Sequence, residues 1–314
     1  MENITSGYDK YNTTFKDKEY YISAVTWMVM MPLLLVAGAI SNIIALFVFS
    51  RNRFHGSVTA FLLKVLALFD LTILSVNFCF NQLIVAGYDI RVYSVWVCKL
   101  YALIVIWSCC SSSWVLVLVS FEPALAVNVP LRAKQIFSKK CANIGVILIN
   151  FISLIPALLY MVIHNIVVSD FGEKYCDRTG PLSSLIAPLV YHSIPFILML
   201  ILNTFIIVGL YKARLNRAKI TSDSKHSQKM SMTIMLVCVN IWFLVNTFPI
   251  SITFLMYPSG YINTKAFVQY TISFVCLYLN HAFILCSLLF IWNCVQSRNK
   301  EYVQGMLHEV FIFI

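Results

Sequence analysis

Seven long apolar runs divide the chain, at roughly residues 23–50, 58–86, 95–127, 141–163, 183–211, 230–257 and 266–292. No other feature narrows the possible folds so far. About 20 consecutive apolar residues cross the hydrocarbon of a bilayer as one helix, because each backbone amide must find its partner within the segment where water is absent. The runs are continuous and do not alternate, which excludes a transmembrane β-barrel. The third and fifth exceed a straight crossing and imply tilt or extension beyond the membrane. Charged residues make up 11% of the 314 positions and hydrophobic ones 60%, whereas a soluble domain carries roughly 25% charged residues. The chain reads as an all-α membrane protein, a seven-transmembrane helix bundle.

Orientation follows from charge. If the N-terminus is outside, the inner segments 51–57, 128–140, 212–229 and 293–314 hold 14 of the 23 Lys and Arg, and the outer segments hold 7. Lys64 and Lys99 fall inside runs two and three. Acids divide the other way, 8 outside and 3 inside. This asymmetry predicts the N-terminus outside and the C-terminus inside. A net charge of +10 invites a nucleic-acid reading, but the basic residues alternate by loop and form no continuous face, so nucleic acid is not expected as a partner. The opening "MENITSGYDK" is polar and is no signal peptide, so run one serves as its own insertion signal. Residues 1–22 form an outer tail whose two Asn-x-Thr sequons, at Asn3 and Asn12, predict glycosylation. Residues 23–292 form the membrane domain and 293–314 a cytoplasmic tail. There Tyr302, Val303, Met306, Leu307, Val310 and Phe311 recur at helical spacing, which predicts an amphipathic helix on the inner membrane surface.

Of ten cysteines, Cys98 in "VWVCKLY" and Cys176 in "FGEKYCDRTG" lie at the outer surface. Both face an oxidising compartment and no other cysteine lies near, which predicts a disulfide between them. The remainder read as small packing residues. Cys294, just beyond run seven, is a palmitoylation candidate.

With the runs in order, a family likeness emerges. "GAISNIIALFVF" with Asn42, "LALFD" with Asp70, Cys98 standing 24 residues before Glu122, and "VPLRAK" each match one signature. Pro195 in "YHSIPFILMLILN", Pro249 in "WFLVNTFPIS" and "LYLNHAFIL" complete the set. Together they resemble the rhodopsin-like G protein-coupled receptors over about 275 residues, and the last stretch resembles invertebrate neuropeptide receptors of the FMRFamide type. The resemblance implies a receptor that binds an extracellular ligand, a peptide by overall likeness, and passes the signal to heterotrimeric G proteins. It also implies a sodium ion near Asp70, Ser112 and Asn280, with Asn42 nearby. Asp70 is the one acid near a span's centre, where an ionisable group demands polar company. A protonated, hydrogen-bonded Asp70 without an ion is the alternative.

Several activation positions depart from the family pattern. Where the family follows its acid with an arginine that contacts the G protein, this chain has Pro123, which offers neither charge nor donor. Thr247 stands where span six carries its switch tryptophan. Ile284, Leu285 and Leu288 stand where span seven carries Asn-Pro-x-x-Tyr, and the span-four tryptophan is absent near Val146. Glu122, Pro123, Arg132, Arg214 and Lys229 mark the expected coupling surface. On the ligand side, Val105 occupies the position of the amine receptors' aspartate, which argues against an amine, and no lysine near Tyr278 can hold retinal. Val105, Cys109, His192, Phe254 and Tyr278 are the ligand-contact candidates, each equally readable as packing. Two rival roles remain: a receptor that binds ligand without G protein output, and a transporter or channel. The single central acid and the lack of internal repeats speak against transport. No metalloprotease, intramembrane aspartyl or nucleophile-elbow motif suggests an enzyme.

Overall fold

The computed structural model describes residues 18, 21–23, 25–52, 56–168, 174–178, 193–217, 224–257 and 264–296. Asn3, Asn12, His192 and the amphipathic stretch of the tail lie outside them. Seven long helices follow one another: α1 Met31–Ser50, α2 Val58–Val85, α3 Val95–Asn128, α4 Lys139–Ile163, α5 Ile194–Arg217, α6 Ser224–Met256 and α7 Thr264–Gln296. A π-helical turn, Thr26–Met30, leads into α1, and a single helical turn, Ala133–Ile136, joins α3 to α4. Five spans among the described residues are long and apolar enough to cross a membrane by length and composition.

Local signals place the helix ends. Ser57 accepts a hydrogen bond from the Ala60 amide at 3.3 Å, and Ser138 accepts one from Cys141 at 3.3 Å, capping α2 and α4. Such caps satisfy amides that the first helical turn leaves unpaired. At the far end of α4, Lys99 of α3 donates to the carbonyls of Met161 and Val162 at 3.1 and 3.0 Å. That bond gives the Lys99 ammonium a partner and two terminal carbonyls a donor.

The helix order can be read from cross-helix bonds. Asn77 with Tyr101, Asp70 with Ser112, and Thr59 with Glu122 step in opposite directions along α2 and α3, so these two run antiparallel. Trp27 with Thr271 and Asn42 with the His281 carbonyl step together, so α1 and α7 run parallel. The hydroxyls of Thr253 and Ser273, 2.7 Å apart, join α6 to α7. Helix α3 is the axis: buried residues lie along it from Cys98 to Ala124. On α1, Met31, Leu35, Gly38, Asn42, Ala45 and Phe49 form one buried stripe at three- and four-residue steps. Helix α4 fully buries only Ala142, Ile149, Ser153, Pro156, Ala157 and Tyr160 and leaves a face including Ile144, Ile147, Leu148, Phe151, Ile152 and Ile155 exposed, as a lipid-facing helix does.

Two short strands depart from the all-helical expectation. β1 (His164–Val168) and β2 (Lys174–Arg178) pair antiparallel, with Ile166 opposite Cys176. Cys176 is bonded to Cys98 at the start of α3, with Cα atoms 5.7 Å apart. The cysteine pairing is as expected, and the strands supply a geometry that the sequence reading lacked. The sixth helix already runs at Ser224, ahead of the expected 230, whereas residues 183–192 at the expected start of run five lie outside the described ones.

Close approach is most demanding at Gly38. A Cβ there would lie 2.6 Å from the Ala282 Cβ and 2.8 Å from a Leu74 methyl. Gly38→Ala should therefore destabilise the bundle by about 1–3 kcal/mol, read as a lower thermal midpoint of the purified protein. Gly145→Ala, whose Cβ would meet only a Leu118 methyl at 3.1 Å, should lower it less.

Candidate functional site

Four helices converge on one acid. Asp70 of α2 and His281 of α7 have side chains only 1% exposed. Ser112 Oγ of α3 donates to Asp70 Oδ1 at 2.6 Å, and His281 Nδ1 lies 2.8 Å from the same oxygen. Two bare acceptors would repel at that distance, so one proton lies between carboxylate and imidazole. Asn42 of α1 donates to the His281 and Gly38 carbonyls, both at 2.9 Å. Ser41 Oγ donates to the Ala282 carbonyl beside it.

Of the expected group, Ser112 touches Asp70 and Asn42 holds the His281 backbone, while Asn280 is buried on α7. His281 was the missed member. Its signal was present, since an ionisable side chain within a span marks a functional site by default. The fit to a hard cation can be judged from the remaining oxygens. Asp70 Oδ2, Asn42 Oδ1 and Asn280 Oδ1 are buried acceptors with no partner among the described residues. Hard cations take oxygen ligands, and these three atoms are acceptors of that kind. Among the described residues no three His, Cys, Asp or Glu side chains gather for another metal.

Toward the disulfide-bearing end, Cys109 and Tyr278 are buried in one apolar cluster, with Val105 and Phe254 packed against it. Four of the five sequence-chosen ligand candidates therefore share a neighbourhood. The cluster's wall is aromatic. Tyr270, Phe274 and Tyr278 step along α7 with ring centres 6.3 and 6.1 Å apart, and Trp27 lies 5.7 Å from Phe274. The four-residue spacing of those three rings was the available signal. Above them, Tyr101 donates to Asn77 at 3.0 Å, and the Arg91 guanidinium lies 5.1 Å from the Tyr101 ring centre. Arg91 grips Asp89 through two hydrogen bonds, at 2.8 and 2.7 Å. Burial alone would raise the Asp89 carboxyl, but the Arg91 bond and charge outweigh it and hold it below the usual range. That bridge contributes above the ordinary carboxylate range and is lost as pH falls through the lowered value.

At the opposite end, Glu122 Oε2 accepts from Thr59 at 2.6 Å. Pro123 is buried within α3, and Arg132 is exposed at the start of the short turn. Ser120 Oγ donates to Asn240 Oδ1 at 3.0 Å, and Asn240 Nδ2 donates to Asn203 Oδ1 at 2.8 Å. These bonds tie α3, α6 and α5 together without charge. Thr247 is buried and donates to the Phe243 carbonyl of its own helix at 2.8 Å. Arg214 and Lys229 fall on α5 and α6, and Cys294 on α7; their side chains lie outside the described part.

The family described as 7 transmembrane receptor (rhodopsin family) matches residues 41–300. No curated protein matches the chain.

Removing one partner of a buried charged pair costs about 3–5 kcal/mol, more than replacing both. His281→Phe should accordingly lower thermal stability sharply. The double variant Asp70→Asn, His281→Phe should lose less than the sum of the two single losses. Strict additivity in that double-mutant cycle would overturn the pairing.

Proposed function

Since the chain belongs to the rhodopsin family of seven-transmembrane receptors, we propose that it is a plasma-membrane receptor for an extracellular peptide that signals through heterotrimeric G proteins. Members of this family are receptors and not enzymes. The observation that carries the reading is the family match over residues 41–300, together with the Cys98–Cys176 bond and the buried polar centre at Asp70. The likeness of "LYLNHAFIL" to invertebrate neuropeptide receptors supports a peptide ligand of the FMRFamide type. The excess of Lys and Arg in alternate loops supports an outer N-terminus, where the sequons at Asn3 and Asn12 would be glycosylated, and an inner C-terminal tail.

Ligand would enter at the disulfide-bearing end, among Val105, Cys109, His192, Phe254 and Tyr278. A ligand favouring a second arrangement of α5 and α6 would shift the population toward it. The opposite end would then open a cleft near Glu122, Arg132, Arg214 and Lys229 to a G protein. Asp70, Ser112, Asn42 and Asn280 would hold sodium, whose charge favours the resting arrangement. His281 competes with the ion for the carboxylate, so the sodium effect should be modest.

Pro123 at the coupling position supports weak nucleotide exchange. Pro123→Arg, reconstituted with purified G protein heterotrimers, should raise basal nucleotide exchange several-fold. An unchanged rate would overturn this account of the position. Uptake of ligand with no exchange in either form would favour a binding receptor without G protein output.

Replacing choline chloride by sodium chloride at constant ionic strength should raise the thermal midpoint of the wild-type protein and leave Asp70→Asn unchanged. Equal midpoints in both salts would exclude sodium from the pocket.

A further inference from the structure

A cavity of about 570 Å³ opens between α6 and α7. It is not the neighbourhood of the ligand candidates. Phe248 and Ile272, which line it, are 54% and 57% exposed, so the furrow faces away from the bundle axis. In a membrane-spanning chain that direction is lipid. Val268 and Ile252 continue the apolar wall. The one hydroxyl on the floor is already engaged: Ser273 Oγ sits 2.7 Å from Thr253 Oγ1. The furrow therefore holds no unmet polar demand along its depth.

Its rim is different. Lys265 and Gln269 line the end nearest the start of α7. Gln269 Nε2 reaches Met256 Sδ at 3.6 Å, bridging the two helices. Lys265 is exposed, and among the described residues no carboxylate pairs with it. Nor can α6, α7 or the loop between them supply one, because the sequence from Ser224 to Lys300 contains no Asp or Glu. A rise of ~1.5 Å per residue puts Ile272 roughly 10 Å deeper than Lys265. An ammonium at the membrane interface above an apolar trough is complementary to an amphiphile with an anionic head.

We propose that this furrow is a lipid site that takes an anionic phospholipid, its phosphate on Lys265 and its acyl chain between Phe248, Ile252, Val268 and Ile272. The site is separate from the receptor's ligand and from G protein coupling, so neither is needed to test it. Among the residues that line the furrow, Lys265 is the one cation. The head group is thus selected by one charge and the chain by the shape of the furrow.

The full chain in nanodiscs can be probed with phosphatidylglycerol and phosphatidylcholine that carry a diazirine on the acyl chain. After irradiation, phosphatidylglycerol should label residues 248–252 and 268–272 several-fold more than phosphatidylcholine. Lys265→Gln should erase that difference and keep labelling by phosphatidylcholine. Ile272→Trp, which fills the trough, should reduce labelling by both lipids. Equal labelling by the two lipids in wild type overturns the proposal, as does an undiminished difference in Lys265→Gln. Absence of label on both stretches also overturns it. Because Lys265 is exposed, its substitution leaves folding intact and keeps the test decisive if Ile272→Trp fails to fold.

Discussion

A carboxylate in the middle of a membrane span must find its counter-charge and its hydrogen bonds inside the protein. Asp70 meets that demand by drawing on three other helices: Ser112 and His281 contact it, and Asn42 fixes the backbone carrying the imidazole. Placing such a group at a helix centre costs about 2.5–3.5 kcal/mol on insertion scales, so the arrangement must be complete to be tolerated. Lipid tails are as apolar as leucine, so apolar contact alone gives one helix little reason to prefer another. Specific association then falls to small residues and polar bonds. Gly38 against Ala282, Ser41 and Asn42 against the α7 carbonyls, and Thr253 against Ser273 supply them. The buried acid is the centre from which this pattern extends.

The two ends of the bundle differ in kind. At the disulfide-bearing end, covalent and ionic links cross the mouth: Cys98 holds the β hairpin, and Arg91 ties Asp89 to Tyr101. Aromatic rings pack beneath. At the opposite end the described cross-links from α3 to α5 and α6 are neutral, through Ser120, Asn240 and Asn203. Neutral bonds of this type contribute about 0.5–1.5 kcal/mol each, small enough for a conformational equilibrium to cross.

How much of this was legible in the sequence depended on the length scale of the signal. Spans were legible because each needs only continuous apolarity. Helices α2, α3 and α4 begin and end within two residues of the runs that predicted them. The disulfide was legible because few cysteines lie where a bond can form. The hairpin was not, because five-residue strands carry little periodicity and their register is set by Cys176 and its partner. At the centre, Asp70, Ser112 and Asn42 were found by depth, whereas the His281 contact depends on the rotation of α7, which depth does not encode. Tyr270, Phe274 and Tyr278 had readable spacing, but their joint wall became apparent only with Trp27 placed against it.

The proline within α3 is explained by the same division of labour. Pro123 lacks the amide that would bond the Val119 carbonyl, and its ring disfavours the turn before it, a combined cost of about 3 kcal/mol in an isolated helix. Yet α3 continues to Asn128. Asn128 Nδ2 closes its last turn on the Ala124 carbonyl at 2.9 Å and ties it from outside to the Phe205 carbonyl of α5 at 3.1 Å. Gly209 allows that approach, since a Cβ there would lie 2.5 Å from a Val127 methyl. Glu122, meanwhile, turns to Thr59 of α2. Tertiary bonds to α2 and α5 thus offset what the proline removes from the helix's own ladder. An arginine at this position would bring a cation to a region where, among the described residues, the bonds from α3 to α5 and α6 are neutral. The proline and the neutral ladder are therefore one solution, in which the end of α3 is anchored by hydrogen bonding instead of by an ionic reach toward α5 and α6.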